Sequence, residues 1–196
     1  MRIIAGTKRG MKLFSPRGMD SRPITDRVKE SLFNVLYNYG LPQGAIVADL
    51  FCGVGSLGIE ALSRGAKFVT FVEQNPKIIV TLKRNIEKAG FVKESRVIRA
   101  DAFKIGAPVG EKIENRKSKI EISCDLVFVD PPYSLTQDVQ LGSPLSRLFD
   151  LLEEQIVDGG LVVVRTHRRV SLSEQYKRFQ IIERWQWGTM VVTILR

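Results

Sequence analysis

The chain has 196 residues, which is long enough to bury a substantial core and is most simply one domain. Hydrophobic residues make up 44% and charged residues 26%, as in an ordinary soluble globular protein, and no internal repeat or low-complexity tract is present. Thirty Lys and Arg against twenty-one Asp and Glu leave a net charge of +9, which favours a polyanionic partner such as nucleic acid.

The cysteines and the hydropathy of the chain indicate the cellular compartment of the protein and the kinds of partner it lacks. Cys52 and Cys124 lie far apart and form no CxxC pair, so we expect no metal site and a reduced, intracellular protein. The first ten residues contain no apolar leader segment, and no stretch approaches the length of a membrane span. These features predict a cytoplasmic protein without a membrane or metal partner, and we expect a monomer.

A small β element opens the chain. Residues 2–5 and 12–14 flank the turn GTKRG (residues 6–10), which predicts a β-hairpin. A loop rich in Pro, Gly and Arg follows, from Ser15 to Ile24. We therefore predict a basic N-terminal arm over residues 1–24, followed by the main domain over residues 25–196.

The main domain begins with a helix. Thr25 is the predicted N-cap, and Gly40 and Pro42 end the helix. Apolar side chains recur on one predicted face of it, namely Val28, Leu32, Val35, Leu36 and Tyr39.

Strands and helices alternate after residue 45. The predicted strands cover residues 45–51, 68–72, 96–100, 125–129 and 161–165, and residues 179–187 pair with 189–195 as a closing hairpin. The predicted helices cover residues 57–64, a segment from Pro76 (after the N-cap Asn75) to Gly90, and residues 141–154. This alternation predicts an α/β, Rossmann-like fold with a parallel sheet covered on both faces. The polar segment 106–123 is predicted to be a surface loop.

A glycine-rich motif follows the first strand. Residues 49–58 read DLFCGVGSLG and contain G-x-G-x-x-G, and Glu73 follows Gly53 by twenty residues. In a doubly wound sheet such a turn lets a ligand approach the backbone, and the acidic residue accepts hydrogen bonds from a ribose. The motif alone fits a nicotinamide enzyme as well as a methyltransferase, and its glycines could also serve tight packing.

A second motif separates these two enzymes. The strand DLVFV leads directly into DPPY (residues 130–133). An exocyclic amine on a nucleobase is a poor nucleophile because its lone pair is delocalised into the ring. The Asp130 carboxylate and the Pro131 carbonyl can accept its two N–H bonds, Pro132 stiffens the loop, and Tyr133 offers a face for base stacking. A nicotinamide enzyme has no need of this loop, so the motif predicts methyl transfer to a nucleobase amine.

Four segments together resemble the RsmD family. They are RIIAGTKRG (2–10), RPITDRVKESLFNVL (22–36), DLFCGVGSLGIEALSRGA (49–66) and DPPY (130–133), in this order and spacing. The resemblance implies a seven-stranded methyltransferase fold that uses S-adenosyl-L-methionine to methylate N2 of a guanine in small-subunit (16S) ribosomal RNA. Cys52 and Val54 depart from the smaller residues usual in the family, and segment 106–123 is longer than expected.

The resemblance also implies roles for individual residues. The catalytic residues would be Asp130, Pro131, Pro132 and Tyr133. The cofactor-binding residues would be Thr25, Arg27, Phe33, Asn34, Asp49, Phe51, Gly53, Gly55, Glu73, Asp101, Ala102 and Asp130. The segment around Thr25 and Asn34 would close over the methionine end of the cofactor.

Basic residues of the arm are the predicted RNA contacts. Long cationic side chains on a hairpin and loop can follow a phosphate backbone, and a second basic cluster, residues 165–169, follows the fifth strand at the same mouth. The predicted RNA-binding residues are Arg2, Lys8, Arg9, Lys12, Arg17, Arg22, Arg168 and Arg169. A solvated charged surface is the alternative interpretation. His167, the only histidine, is not needed as a general base.

Two other functions stay open. A DNA adenine-N6 methyltransferase uses the same catalytic chemistry, although it usually carries a larger recognition region. A non-catalytic RNA-binding protein of ribosome assembly could keep the fold, although intact Gly53, Gly55, Glu73 and DPPY argue against it. Ribosomal RNA and the assembled small subunit are both open as the partner.

Overall fold

The computed structural model describes residues 1–15, 24–108 and 123–196. Arg17, Arg22 and most of the segment 106–123 lie outside these ranges. The strands are β1 Ile46–Leu50, β2 Phe68–Glu73, β3 Ser95–Arg99, β4 Cys124–Val129, β5 Ile156–His167, β6 Gln175–Tyr176, β7 Phe179–Trp187 and β8 Met190–Leu195. The α-helices are α1 Asp26–Asn38, α2 Ser56–Ser63, α3 Pro76–Ala89, α4 Ala102–Ile105 and α5 Pro144–Gln155.

The eight strands within the described ranges form one mixed sheet in the order β3-β2-β1-β4-β5-β8-β7-β6. The first five in this order are parallel, and β8 joins β5 in an antiparallel pair. The sequence prediction of a Rossmann-like α/β fold is confirmed. The sheet has one strand more than the predicted seven because the two-residue β6 pairs with the start of β7. The chain changes direction between β1 and β4, so a crevice opens at the carboxyl ends of these strands.

Two apolar layers cover the sheet. One contains α1, α2, α3 and the N-terminal arm, and the other contains α4, α5 and Tyr176. Alternate residues of β4 enter different layers: Leu126 and Phe128 face α1, whereas Val127 and Val129 face α5. No helix of the described ranges is long and apolar enough to cross a membrane.

The N-terminal arm is a hairpin-like turn with one antiparallel bridge, Arg2 to Lys12, rather than two strands. A 3-10 helix, Gly6–Lys8, occupies the turn. The predicted hairpin is present, since Ile3 N–H bonds to the Met11 carbonyl at 2.9 Å and Leu13 N–H to the Met1 carbonyl at 3.2 Å. Its paired segments are shorter than predicted because the N–H groups of Ile4 and Ala5 bond to the carboxylate of Glu60. Ile3 and Leu13 are buried in the same core layer as α1 and α2, so the arm packs on the main domain.

The predicted helix ends are confirmed at two sites. The Thr25 hydroxyl accepts the Val28 N–H at 3.3 Å, and the Asn75 side chain accepts the Lys77 N–H at 2.9 Å. Helix α4 was not predicted, since four residues are too few to show helical periodicity. Strand β5 begins at Ile156, which pairs with Cys124 of β4, and it is therefore longer than predicted.

Candidate active site

A cavity of about 730 Å³ lies at the carboxyl ends of the parallel strands, a volume suited to a drug-sized or cofactor-sized ligand. Residues at the carboxyl ends of β1, β2, β3, β4 and β5 contribute to its wall, and the arm contributes Met1 and Ser15. The polar side chains on this wall include Asp49, Glu73, Asp130, Tyr133, Arg165 and His167.

Two glycines, one at the N-cap and one in the first turn of α2, occupy positions where a side chain would not fit. Gly55 is the N-cap of α2 with φ of +85°, in the left-handed region that favours glycine. A Cβ at Gly58 would lie 2.3 Å from the Phe71 ring and 2.9 Å from Oδ2 of Asp49. The Gly58 N–H donates to the same Asp49 oxygen at 2.8 Å, so the loop and the acid fix each other.

Two backbone N–H groups fix the Glu73 carboxylate at the tip of β2. Gly53 donates to Oε2 at 3.1 Å and Asn75 donates to Oε1 at 2.8 Å. Each carboxylate oxygen accepts more than one hydrogen bond, so acceptor capacity is left for a ligand in the cavity. The position matches the acid that binds ribose hydroxyls in doubly wound folds.

The DPPY loop begins where β4 leaves the sheet. The Asp130 N–H bonds to the Leu50 carbonyl at 3.4 Å, and Oδ1 of Asp130 accepts a hydrogen bond from Nε of Arg165. Burial raises the pKa of Asp130, and the Arg165 guanidinium opposes this rise. Tyr133 starts a 3-10 helix, and its ring meets the edge of His167 with centroids 5.4 Å apart.

Acids outnumber cations on the described cavity wall. Asp49, Glu73 and Asp130 face one guanidinium, Arg165. Burial raises the pKa of Asp49 well above its ordinary value, and the Asp130 and Glu73 charges add to this rise. Such a wall attracts a cationic ligand such as a sulfonium and disfavours the pyrophosphate of a dinucleotide. The charges on this wall therefore fit S-adenosylmethionine better than a nicotinamide cofactor.

The structure brings part of the predicted site together. All four predicted catalytic residues line the cavity, as do six predicted cofactor residues: Asp49, Phe51, Gly53, Glu73, Ala102 and Asp130. Two more adjoin the wall as helix caps, Gly55 for α2 and Asp101 for α4.

The predicted residues on and before α1 are not brought to the cavity. Thr25 caps the helix, and neither Arg27 nor Asn34 lines the wall. The Phe33 ring is fully buried and packs 5.8 Å from Phe128, because this side of α1 faces the core. The nearby residue on the wall is Ile24.

The predicted RNA contacts that the structure describes are mostly exposed. Arg9, Lys12, Arg168 and Arg169 are exposed, whereas Lys8 is partly covered, its ammonium 5.7 Å from the centre of the Phe91 ring. Arg2 is exposed and pairs with Asp26 at 2.7 Å. Met1 and Ser15, the two ends of the hairpin, line the cavity. Its turn packs instead on the C-terminal ends of α2 and α3, where the Lys8 N–H bonds to Oγ of Ser63 at 2.9 Å, so the structure does not bring Lys8 to the cavity.

Sequence reasoning missed the pairing of Arg165 with Asp130. Arg165 had been grouped with the basic cluster after β5, yet it lies inside the wall with its side chain 15% exposed. The sequence carries no signal for this pair, because only the structure shows that β4 and β5 are neighbours and that Val129 pairs with Val164, the residues before Asp130 and Arg165. Among the described residues, no group of three His, Cys, Asp or Glu side chains could hold a metal ion.

The strand order, the glycine loop, the acid after β2 and the DPPY loop define the Rossmann-like methyltransferase class. Residues 1–196 match the family described as "Conserved hypothetical protein 95". The chain therefore belongs to this family, the RsmD family, as its sequence motifs predicted.

Similar proteins carry related names. The chain is 35% identical to "Putative rRNA methyltransferase YlbH" of Bacillus subtilis, covering 100% of this chain and 98% of the relative. It is 37% identical to "Ribosomal RNA small subunit methyltransferase D" of Escherichia coli over 68% of this chain and 60% of that protein. Among solved structures, "Putative methyltransferase yhhF from Escherichia coli" superposes with a TM-score of 0.78 and 30% identity, covering 100% of this chain and 96% of that one.

Proposed function

We propose that this protein uses S-adenosylmethionine to methylate the exocyclic N2 amine of a guanine in small-subunit ribosomal RNA. The observation that carries the proposal is the position of the DPPY loop, which forms one wall of the acidic cavity and includes the partly exposed side chain of Asp130. Membership of the family and the names of its rRNA-modifying relatives support ribosomal RNA as the substrate.

S-adenosylmethionine would supply a methyl group on a sulfonium, whose sulfur leaves with the electron pair of the broken S–C bond. Glu73 would hold the ribose hydroxyls, and the walls near Phe51 and Ala102 would enclose the adenine. Asp130 and the Pro131 carbonyl would accept the amine N–H bonds, so that the nitrogen lone pair is free to form the new N–C bond. The nitrogen then releases one proton to water, and no dedicated base is needed.

The RNA would approach across the arm side of the cavity. Lys8 and Lys12 of the arm lie near the C-terminal end of α3, and the exposed Arg168 and Arg169 follow His167 of the cavity wall. Phe14 of the arm is 40% exposed, and the cations of Arg84 and Lys88 on α3 lie 4.7 and 4.6 Å from its ring centre. These cations can neutralise phosphates while Tyr133 stacks on an extruded base. Arg17 and Arg22 stay predictions.

The test is a methylation assay with labelled cofactor on small-subunit RNA, free and assembled into subunits. We expect Asp130→Ala to lower the single-turnover rate by about 100- to 1,000-fold, because an electrostatic contact made in the transition state is lost. Cofactor affinity measured by calorimetry should change little. Asp130→Asn should keep some activity, since its amide oxygen is still an acceptor.

Asp150→Ala is the matched control, because Asp150 is a partly exposed acid on α5 that pairs with Lys177 at 3.6 Å. Mapping of the labelled base should find N2-methylguanine. Label on adenine in duplex DNA would favour the DNA methyltransferase instead. A wild-type protein that binds RNA and transfers no methyl group would identify a non-catalytic assembly protein.

A further inference from the structure

The registers of β4 and β5 place an arginine beside the catalytic acid. Val129 pairs with Val164 in the parallel ladder, so Asp130 and Arg165 follow side by side at the carboxyl edge. Strand alternation turns both side chains to the α1 face of the sheet. Nε of Arg165 donates to Oδ1 of Asp130, and the two side chains are 15% and 17% exposed.

This ion pair is incomplete on both sides. Within residues 1–15, 24–108 and 123–196, Oδ2 of Asp130 has no hydrogen-bond donor. Nη1 of Arg165 is buried and has no acceptor within the same ranges. A carboxylate accepts several hydrogen bonds, and a buried pair that serves stability is normally satisfied by further donors. The pair therefore leaves an acceptor oxygen available at the cavity.

We propose that Arg165 is a positioning residue of the methyl-transfer site: it holds Oδ1 of Asp130 so that Oδ2 faces the cavity as the acceptor for the substrate amine. The proposal rests on the proposed function for the identity of that amine. The geometry of the pair, however, is a property of the protein alone. A guanidinium suits this task because its Nε–H lies in a rigid plane, whereas a lysine ammonium rotates freely.

The charge of Arg165 has a second effect on the same acid. The titratable and charged groups around Asp130 are Asp49 on β1, Glu73 on β2, Tyr133 in the loop, and Arg165 and His167 on β5. Burial raises the pKa of Asp130, and Arg165 lowers it. A protonated Asp130 would present an O–H donor in place of one acceptor and could not stabilise positive charge on the nitrogen. Loss of Arg165 should therefore raise the pKa of Asp130. The ionised, active form of Asp130 should then be lost at a higher pH than in the wild type.

The experiment compares Arg165→Met, which removes the charge, with Arg165→Lys, which keeps it. Single-turnover rates are measured from pH 5 to 9 with saturating small-subunit RNA and labelled cofactor. We expect Arg165→Met to lower the rate at pH 7 by about 10- to 100-fold, as for a misplaced catalytic group. Its acidic limb should move to higher pH, so that part of the rate returns at pH 9. Arg165→Lys should keep the acidic limb near the wild-type position with a smaller loss of rate.

Two controls separate positioning from folding. Arg184→Met removes an exposed arginine of β7 away from the cavity and should match the wild type. In an Asp130→Asn background, Arg165→Met should cost little further rate, because residues that act through each other are not additive. A wild-type pH profile in Arg165→Met, or an undiminished additional loss in the Asp130→Asn background, would overturn the proposal.

A readout without RNA keeps this proposal distinct from the proposed function. The Asp130 carboxyl carbon is titrated by NMR in the wild type and in both Arg165 variants, and Asp130→Asn assigns the signal. We expect a higher Asp130 pKa in Arg165→Met and little change in Arg165→Lys. An unchanged pKa in Arg165→Met refutes the inference whatever the RNA assay shows. A shifted pKa in a protein that methylates no RNA would retain the pair and reject the function.

Discussion

Two carboxylates of this protein, those of Glu60 and Asp130, contrast in how many donors they have. Glu60 of α2 is fully buried and accepts from two backbone N–H groups of the arm, from Lys29 at 3.2 Å and from Arg64 at 2.8 Å. Asp130 is 17% exposed, and among the described residues its carboxylate has one donor, Arg165. Both acids lie on the same side of the sheet, yet one is saturated and the other keeps a free oxygen.

The contrast distinguishes an acid that stabilises the fold from one that can bind a ligand. Glu60 joins three parts of the chain, since Lys29 belongs to α1 and also donates to the Arg2 carbonyl at 2.7 Å. With its acceptor positions filled by the protein, Glu60 has none to offer. Protein donors fill only some of the acceptor positions of Asp130 and Glu73. Both residues line a cavity, so a ligand can donate the remaining hydrogen bonds. The count of internal donors distinguishes the two roles.

The largest expected effect is on the saturated acid. Glu60→Ala should lower the free energy of unfolding by about 3–5 kcal/mol, because it leaves Lys29 buried without its counter-charge. Urea unfolding at pH 7 measures this. Burial lowers the pKa of Lys29, with Glu60 acting against that shift. Removing Glu60 should lower the pKa further, so the variant should regain stability as the pH rises toward 10.5 and the native state no longer holds a buried charge.

The double variant Glu60→Ala/Lys29→Met is the control for this prediction. It removes both charges, so it should be more stable at pH 7 than Glu60→Ala alone, and its stability should lose the alkaline dependence. If the double variant were no more stable than the single one, the anchoring of the arm rather than the unpaired ammonium would account for the loss.

Glu60 also marks the limit of what the sequence could predict. Strand and helix periodicity, the caps at Thr25 and Asn75, and the two motifs predicted the sheet, the glycine loop and the DPPY wall. Contacts between residues far apart in the chain, such as Glu60 with the arm and Asp130 with Arg165, leave no periodic signal. They depend on the register of neighbouring strands and on how helices pack, and both are set by the whole core.

The next largest effect is expected for Glu73, a cavity acid whose carboxylate keeps acceptor capacity for a ligand. Glu73→Ala should weaken S-adenosylmethionine binding by about 10- to 100-fold, the loss of roughly 1.5–3 kcal/mol expected for hydrogen bonds to a charged group. Isothermal calorimetry gives the affinity. Stability should fall less than in Glu60→Ala, because the freed N–H groups of Gly53 and Asn75 can reach water in the cavity. An unchanged affinity would place the ribose elsewhere.

A third prediction concerns the outer surface of the arm. Replacing Lys8, Arg9 and Lys12 together by Ala should flatten the slope of log K for RNA against log salt by about two to three units, because each phosphate contact contributes roughly 0.7–0.9. The arm should stay docked, since its anchors to Glu60 are backbone N–H groups. The matched control replaces three exposed cations elsewhere, Arg147, Lys177 and Arg184, with the same change in charge. Equal slopes for the two triple variants would move the RNA surface away from the arm.

The smallest expected effect comes from Asp49, which is as buried as Glu60 but, like Asp130, has a single donor among the described residues. It is buried like Glu60 but accepts a single backbone N–H, from Gly58, and burial raises its pKa well above 3.8. The native state therefore binds a proton more tightly than the unfolded chain, and stability falls as the pH rises through this window. Asp49→Asn keeps an oxygen for Gly58 and removes the charge, so it should raise the urea midpoint at pH 8. The gain should vanish as the pH approaches 4.

Asp125→Asn is the control, because the Asp125 carboxylate also accepts one backbone N–H, from Ile46 at 2.7 Å, but is partly exposed. A loss of stability in Asp49→Asn at pH 8 would mean that the charge of Asp49, like that of Glu60, is needed by the fold.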